Sequence, residues 1–101
     1  MTDLQHIFSA LADPTRRSLF ERLSTRGPAS ASELAAEMPI TRQAIAKHIS
    51  TLESAGLVDR GEAGRAVEFV ANPHRLTELE SWSDRVNRSW KDRLDRLTDL
   101  S

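Results

Sequence analysis

The chain has 101 residues, 39% hydrophobic and 29% charged, with a formal net charge of -1 and no cysteine. That length supports one domain with a modest core, a size that favours oligomerisation. The missing thiols exclude disulfides and thiolate metal sites, and the near-neutral charge excludes a protein that coats nucleic acid by bulk electrostatics.

From Asp3 to Ala12, Leu4, Ile7, Phe8 and Leu11 recur at helical spacing, and Asp3 stands where its carboxylate would accept backbone donors at the helix start. Asp13-Pro14 ends that element and begins a second helix. Asp13 is its cap, Pro14 occupies the first position, where the missing N–H is no loss, and Leu19, Phe20 and Leu23 form its buried side. The clustered Arg16, Arg17, Arg22 and Arg26 are expected on a solvated face, with phosphate contact as the alternative for one of them. Gly27-Pro28 opens an extended link. Ser30-Ala31-Ser32-Glu33 then fits a capping box ahead of Leu34, Ala35, Ala36 and Met38, and Met38-Pro39-Ile40 cannot continue the helix.

The next element runs from Thr41, a good N-cap, to Gly56, a good C-terminal stop. Ile45, Ile49 and Leu52 make one apolar stripe that must face a core. The opposite face carries Gln43, Ala46, Lys47 and Ser50, with Arg42 beside it, and such small, polar or cationic groups enter a DNA major groove without steric conflict. Any soluble helix also has a polar side. The order of short helix, brief turn and longer helix is what gives this one the helix-turn-helix arrangement.

Beyond Gly56 the pattern switches to period two. Leu57 to Arg60 and Arg65 to Val70 read as strands joined by a turn at Gly61-Glu62-Ala63-Gly64, a hairpin placed as a wing. All four glycines of the chain, at 27, 56, 61 and 64, read as turn residues. Arg60 and Arg65 flank the expected tip, where they either reach a phosphate or minor groove or keep an edge hairpin soluble. Asn72-Pro73 restarts helix, and Leu76, Leu79, Trp82, Val86, Trp90, Leu94 and Leu97 follow at intervals of three and four. This helix, bearing both tryptophans, projects more apolar surface than so small a core can cover. A symmetric partner is therefore expected, with Leu4, Ile7, Phe8, Leu11, Leu79, Trp82, Val86, Trp90, Leu94 and Leu97 at the dimer interface.

The fold class is thus mainly α with a small β-hairpin wing: one domain over 1–101, a winged helix-turn-helix core at 13–71, and dimerisation helices at about 3–12 and 73–100. No constellation supports catalysis: there is no cysteine nucleophile, no G-x-S-x-G elbow and no phosphate-cradling glycine loop. With only His6, His48 and His74 as nitrogen ligands, no metal site and no cofactor are expected. No apolar run approaches the roughly 20 residues that span a bilayer, and MTDLQHIF lacks the basic start of a signal peptide, so a cytoplasmic location without membrane attachment is expected.

Several stretches, in order, resemble the ArsR-type family of bacterial and archaeal winged-helix repressors. They are ALADPTRR at 10–17, SELA at 32–35, TRQAIAKHI at 41–49, AGLV at 55–58 and Gly64-Arg65. The resemblance covers nearly the whole chain and implies a homodimer that sits on an inverted-repeat operator and represses its own or a neighbouring gene. In founding members a Cys-x-Cys pair at the start of the third helix senses thiophilic metals; here those positions match Ser30 and Ser32, whose hydroxyls cannot replace thiolates for soft ions. His48 matches the family's histidine in the reading helix, for which the resemblance implies a structural or DNA-contacting role. With alanine at Ala46 where many relatives have serine, the chain looks like a cysteine-free branch of the family.

The expectation is a sequence-specific, homodimeric repressor. Arg42, Gln43 and Lys47 would carry most groove contact, with Gln43 suited to adenine edges and Arg42 to guanine or phosphate. Ser30 and Thr41 would offer hydroxyls to phosphates near helix starts, Arg65 a sequence-independent contact, and Ala46, His48, Ser50 and Arg60 the rest of the surface. Its partners would be the operator duplex, a second copy and, where a ligand relieves repression, a small-molecule inducer. The nine basic residues from Arg16 to Arg75 are spread among acids, so a single subunit should bind modestly and depend on doubling the site. The alternative is a winged-helix protein-interaction module, because fold alone does not fix function.

Overall fold

Side-chain oxygens fix the starts of the helices in the winged core. In the structure, a computed structural model that describes residues 3–99 without the side chains of Asp3 and Ala63, Asp13 accepts the Arg16 amide at 3.0 Å. Ser30 accepts the Glu33 amide at 3.1 Å while the Glu33 carboxylate accepts the Ser30 amide at 2.9 Å, and Thr41 accepts the Ala44 amide at 3.1 Å. The resulting order is α1 (Asp3–Ala12), α2 (Pro14–Arg26), α3 (Ala31–Glu37), α4 (Arg42–Ser54), β1 (Val58–Ala63), β2 (Ala66–Ala71), a 3₁₀ turn (Pro73–Arg75) and α5 (Leu76–Asp99). This is the expected mainly helical fold with a two-stranded antiparallel hairpin. The cap role read for the Asp3 side chain and the helix end at residue 100 lie outside the described residues.

The core gathers Leu19, Phe20 and Leu23 of α2, Leu34 of α3, and Ile45, Ile49 and Leu52 of α4, closed by Leu57 just before the hairpin and by Val58 and Phe69 within it. The three α4 residues of that core lie on one stripe, so burying it fixes the rotation of the helix about its own axis. The extended link after α2 does more than connect. Ala29 and Phe69 exchange both backbone hydrogen bonds, at 3.1 and 2.8 Å, so the link anchors β2 to the helical layer.

The hairpin departs from expectation at its tip. Register pairs run from Val58↔Ala71 to Ala63↔Ala66, leaving only Gly64 and Arg65 in the turn. Gly64, at φ +64°, supplies the positive φ that a two-residue hairpin turn with glycine first requires. The longer loop read from sequence would have left the backbone groups of residues 61–63 unpaired, whereas the shorter turn lets them join the ladder. Gly61 therefore lies within β1, not in a turn, and Arg60 lies opposite Phe69, three pairs back from Ala63.

The arginines of α2 lie on a solvated face, Arg17 and Arg22 exposed and Arg16 and Arg26 half-buried, but all four are engaged within the subunit. Arg16 donates to the carbonyls of Ala10 (2.6 Å) and Ser9 (3.1 Å), and Arg17 to that of Leu11 (2.6 Å), satisfying carbonyls orphaned at the end of α1. Arg22 and Arg26 converge on Glu37 at 3.0 and 2.7 Å, tying α2 to α3. Hydrogen bonding from Arg26 holds the Glu37 carboxyl below its ordinary value.

Helix α5 begins inside the subunit and leaves it. Leu76 packs on the core, and Trp82 meets Phe8 of α1 edge to face, with ring centres 5.1 Å apart. Farther along, Trp90, Leu94 and Leu97 are 55%, 53% and 60% exposed. The longest dimension is 65 Å and the radius of gyration 17.8 Å, against about 13 Å for a compact chain of about 100 residues. Two residues expected at the dimer interface belong to the subunit's own interior: Ile7 is fully buried, and Leu11 packs against the core. Their stripe on α1 is taken up by the subunit's own packing, so a partner cannot reach Ile7.

Gly56 ends α4 at φ +77°, and a Cβ there would stand 2.8 Å from Nε of Arg75. Gly56→Ala should therefore destabilise the fold by more than about 1 kcal/mol, seen as a lower urea midpoint with unchanged slope. An unchanged midpoint would show that the Gly56 backbone and Arg75 adjust freely.

Candidate nucleic-acid interface

Because Ile45, Ile49 and Leu52 turn inward, the turn of about 100° per residue sends Gln43, Lys47 and Ser50 outward. Thr41, Arg42, Gln43, Ala46, Lys47 and Ser50 are all exposed, as the sequence implies. His48 does not join them. It is half-buried on the flank toward the α1–α2 corner, close enough for its charge to act on Asp13. The Asp13 carboxyl is held below its ordinary value first by the Arg16 amide and, more weakly, by His48 and Arg16.

Arg42 faces the opposite flank, toward the wing. There a cleft of about 570 Å³ opens between the starts of α3 and α4 and the hairpin, lined by Ser30, Arg42, Arg60, Arg65, Val67 and Phe69. The fold thus gathers four residues named from sequence, from three elements and the turn between β1 and β2, around one concavity. Ser30 and Thr41 each accept one backbone amide as helix caps, and each still has its O–H to donate.

The nine basic side chains from Arg16 to Arg75 fall into two sets. Arg16 and Arg17 hold backbone carbonyls of α1, Arg22 and Arg26 hold Glu37, Arg75 stands 3.7 Å from Glu78, and Arg60 is held by Glu53. Among the described residues, Arg42, Lys47 and Arg65 have no carboxylate at ion-pair distance. All three lie on α4 or at the wing tip.

Arg60 departs most from its expected place. Nη2 and Nε donate to the two carboxylate oxygens of Glu53 at 2.9 and 3.1 Å, and that bonding pushes the guanidinium pKa up. Glu53, Val67 and Phe69 are neighbours of the cleft that the sequence reading passed over. Glu53 was open to detection as the one acid on the flank of α4 that also carries Arg42; Val67 and Phe69 read only as strand residues. Among the described residues, no cluster of three His, Asp or Glu forms, and no helix is long and apolar enough to cross a membrane.

A helix-turn-helix domain family matches residues 11–60, from the end of α1 into β1. The HTH-type transcriptional regulator Rv2034 of Mycobacterium tuberculosis is 38% identical over 78 residues, covering 77% of this chain and 72% of that protein. The transcriptional repressor SdpR of Bacillus subtilis is 25% identical over 79 residues, covering 78% of this chain and 87% of that protein. Among solved structures, an ArsR-like transcriptional regulator from Rhodococcus sp. RHA1 superposes with a TM-score of 0.85 at 34% identity, covering 98% of this chain and 92% of that one. With the outward face of α4, the wing and the cleft in place, the chain belongs to the ArsR-like family of helix-turn-helix transcriptional regulators and is a DNA-binding regulator, not an enzyme.

Proposed function

We propose that the protein is a homodimeric repressor that reads an inverted-repeat operator in the cytoplasm, one α4 per half-site. The observation that carries this reading is the set of unengaged cations. Arg42, Lys47 and Arg65 are left without a carboxylate while the other basic side chains of the winged core hold partners, and all three border the exposed face of α4 or its cleft. Unpaired cations on one face are what phosphate contact needs in a chain of net charge -1.

In this reading α4 enters the major groove. Gln43 pairs with an adenine edge, Arg42 with guanine or phosphate and Lys47 with groove acceptors, while Ala46 and Ser50 allow close approach. Ser30, Thr41 and Arg65 meet the backbone on either side. The exposed α5 stripe supports the second copy, since Trp82, Val86, Trp90, Leu94 and Leu97 form an apolar surface that one subunit leaves open. Repression is supported by the likeness to SdpR and by the simplest consequence of a dimer occupying promoter DNA. Any small-molecule inducer would act on this dimer.

The reading is tested by titrating the protein with duplex from upstream of its own gene and with random duplex, at graded salt. Tighter binding to the upstream duplex, weakening steeply as salt rises, is expected; equal affinity for both overturns the reading in favour of an interaction module. In the same assay Gln43→Ala should abolish base preference at one position of each half-site, at about 1 to 3 kcal/mol. Equal loss on every sequence would make Gln43 a phosphate anchor instead.

The dimer has its own test. Trp90→Glu combined with Leu94→Glu should weaken self-association at least about tenfold by sedimentation, equivalent to about 1.4 kcal/mol, with helical content retained. Wild-type sedimentation in the double variant would remove α5 from the interface.

A further inference from the structure

Arg60 lines the same cleft as Arg42 and Arg65, and by charge alone it would be counted with them as a phosphate ligand. Its contacts give it a different part. The guanidinium sits fork on fork against the Glu53 carboxylate, at 2.9 and 3.1 Å, and its central carbon stands 5.3 Å from the centre of the Phe69 ring. Those two partners belong to different elements, for Glu53 lies in the last turns of α4 and Phe69 in β2, while Arg60 itself is in β1. Phe69 is only 7% exposed and is fastened by both of its backbone hydrogen bonds to Ala29. One side chain therefore bridges the reading helix and both strands of the wing on the exposed side of a junction whose inner side is the packing of Leu57, Val58 and Phe69 against α4.

We propose that Arg60 is a positioning residue for DNA recognition: clamped by Glu53 and Phe69, it sets the angle of the wing to α4, and so the point at which Arg65 meets the duplex. This rests on the DNA-reading role given above to α4 and the wing. The competing account makes Arg60 a phosphate ligand that Glu53 merely restrains.

The two accounts differ in the sign of one effect. Glu53→Gln removes a negative charge from beside the duplex and releases Arg60. A restrained phosphate ligand would then bind the upstream duplex more tightly. A clamp that positions the wing requires the reverse: Glu53→Gln and Arg60→Gln should each weaken binding, on the order of tenfold, and the double variant should be no weaker than the weaker single. In a background carrying Arg65→Gln, neither change should weaken binding further, because the contact they position is already gone. Tighter binding by Glu53→Gln, or full additivity of the two single losses, overturns the proposal while wild-type selectivity leaves the operator reading intact.

A second measurement needs no DNA. In the free protein, Glu53→Gln should speed hydrogen exchange of the amides paired between β1 and β2 while leaving those of α2 unchanged. Unchanged exchange in the hairpin would show that Glu53 does not hold the wing and overturns the proposal. If the wild-type protein shows no preference for the upstream duplex, the operator reading falls and the recognition role of Arg60 falls with it; the exchange result still reports whether the clamp exists.

Discussion

The burial of Ile45, Ile49 and Leu52 is the constraint from which the functional surface follows. Three branched or long apolar side chains on one stripe gain several kcal/mol by leaving water, at about 1.5 to 3 kcal/mol each. No rotation of α4 that exposes them is competitive. Once they face α2 and the rest of the core, the positions half a turn away must face out, and those positions are Gln43, Lys47 and Ser50. The outward face is thus dictated by hydrophobic burial on the opposite side. The Thr41 cap and Gly56 stop then set where along its axis that face begins and ends.

Electrostatics completes what burial begins. A net charge of -1 leaves no general attraction for a polyanion, so everything depends on which cations are engaged internally. Both carboxylates of α3 are already matched: Glu37 receives Arg22 and Arg26, and Glu33 closes the cap at Ser30 and meets Arg26. Exposed pairs of this kind add little stability on their own. Their effect here is selective, because they withdraw some arginines from any external partner and leave the cations of α4 and the wing tip available.

Much of this was legible in the chain because the signals were local. Caps at Asp13, Ser30 and Thr41, breakers at Pro28 and Pro39, and the change from a period near 3.6 to a period of two each depend on residues within a few positions of one another. The misses share the opposite property. Arg17 finds the Leu11 carbonyl six residues back, Arg22 finds Glu37 fifteen residues on, and Arg60 finds Glu53 across a helix-to-strand junction. An arginine on a polar face looks the same in sequence whether it meets solvent, a neighbour or a phosphate; only the fold separates these fates. Ile7 failed for a related reason, since helical spacing marks an apolar stripe without saying whether the subunit or a partner covers it. The wing tip slipped because four consecutive turn-compatible residues, Gly61 to Gly64, offered more than one register, and ladder pairing selected the shortest loop.

Helix α5 links these elements to a scale larger than one subunit. Its first turns belong to the core through Leu76 and are braced against α1 by Phe8 on Trp82, and α1 in turn is pinned to α2 by Arg16 and Arg17. Its remaining turns carry Val86, Trp90, Leu94 and Leu97 at steps of three and four, one apolar stripe suited to another helix alongside. A continuous helix of 24 residues, about 36 Å long, flexes little. In the proposed dimer, the separation of the two α4 helices would then be set by rigid parts throughout: α5 to α1, α1 to α2, and α2 to α4. Palindromic DNA presents its half-sites at separations fixed to about one helical turn, roughly 34 Å, so affinity from two sites is gained only if the protein holds its own spacing as firmly. The arginine pins on α1, which look incidental beside α4, would therefore matter to operator binding in the proposed dimer because they brace one of the corners at which that spacing could give.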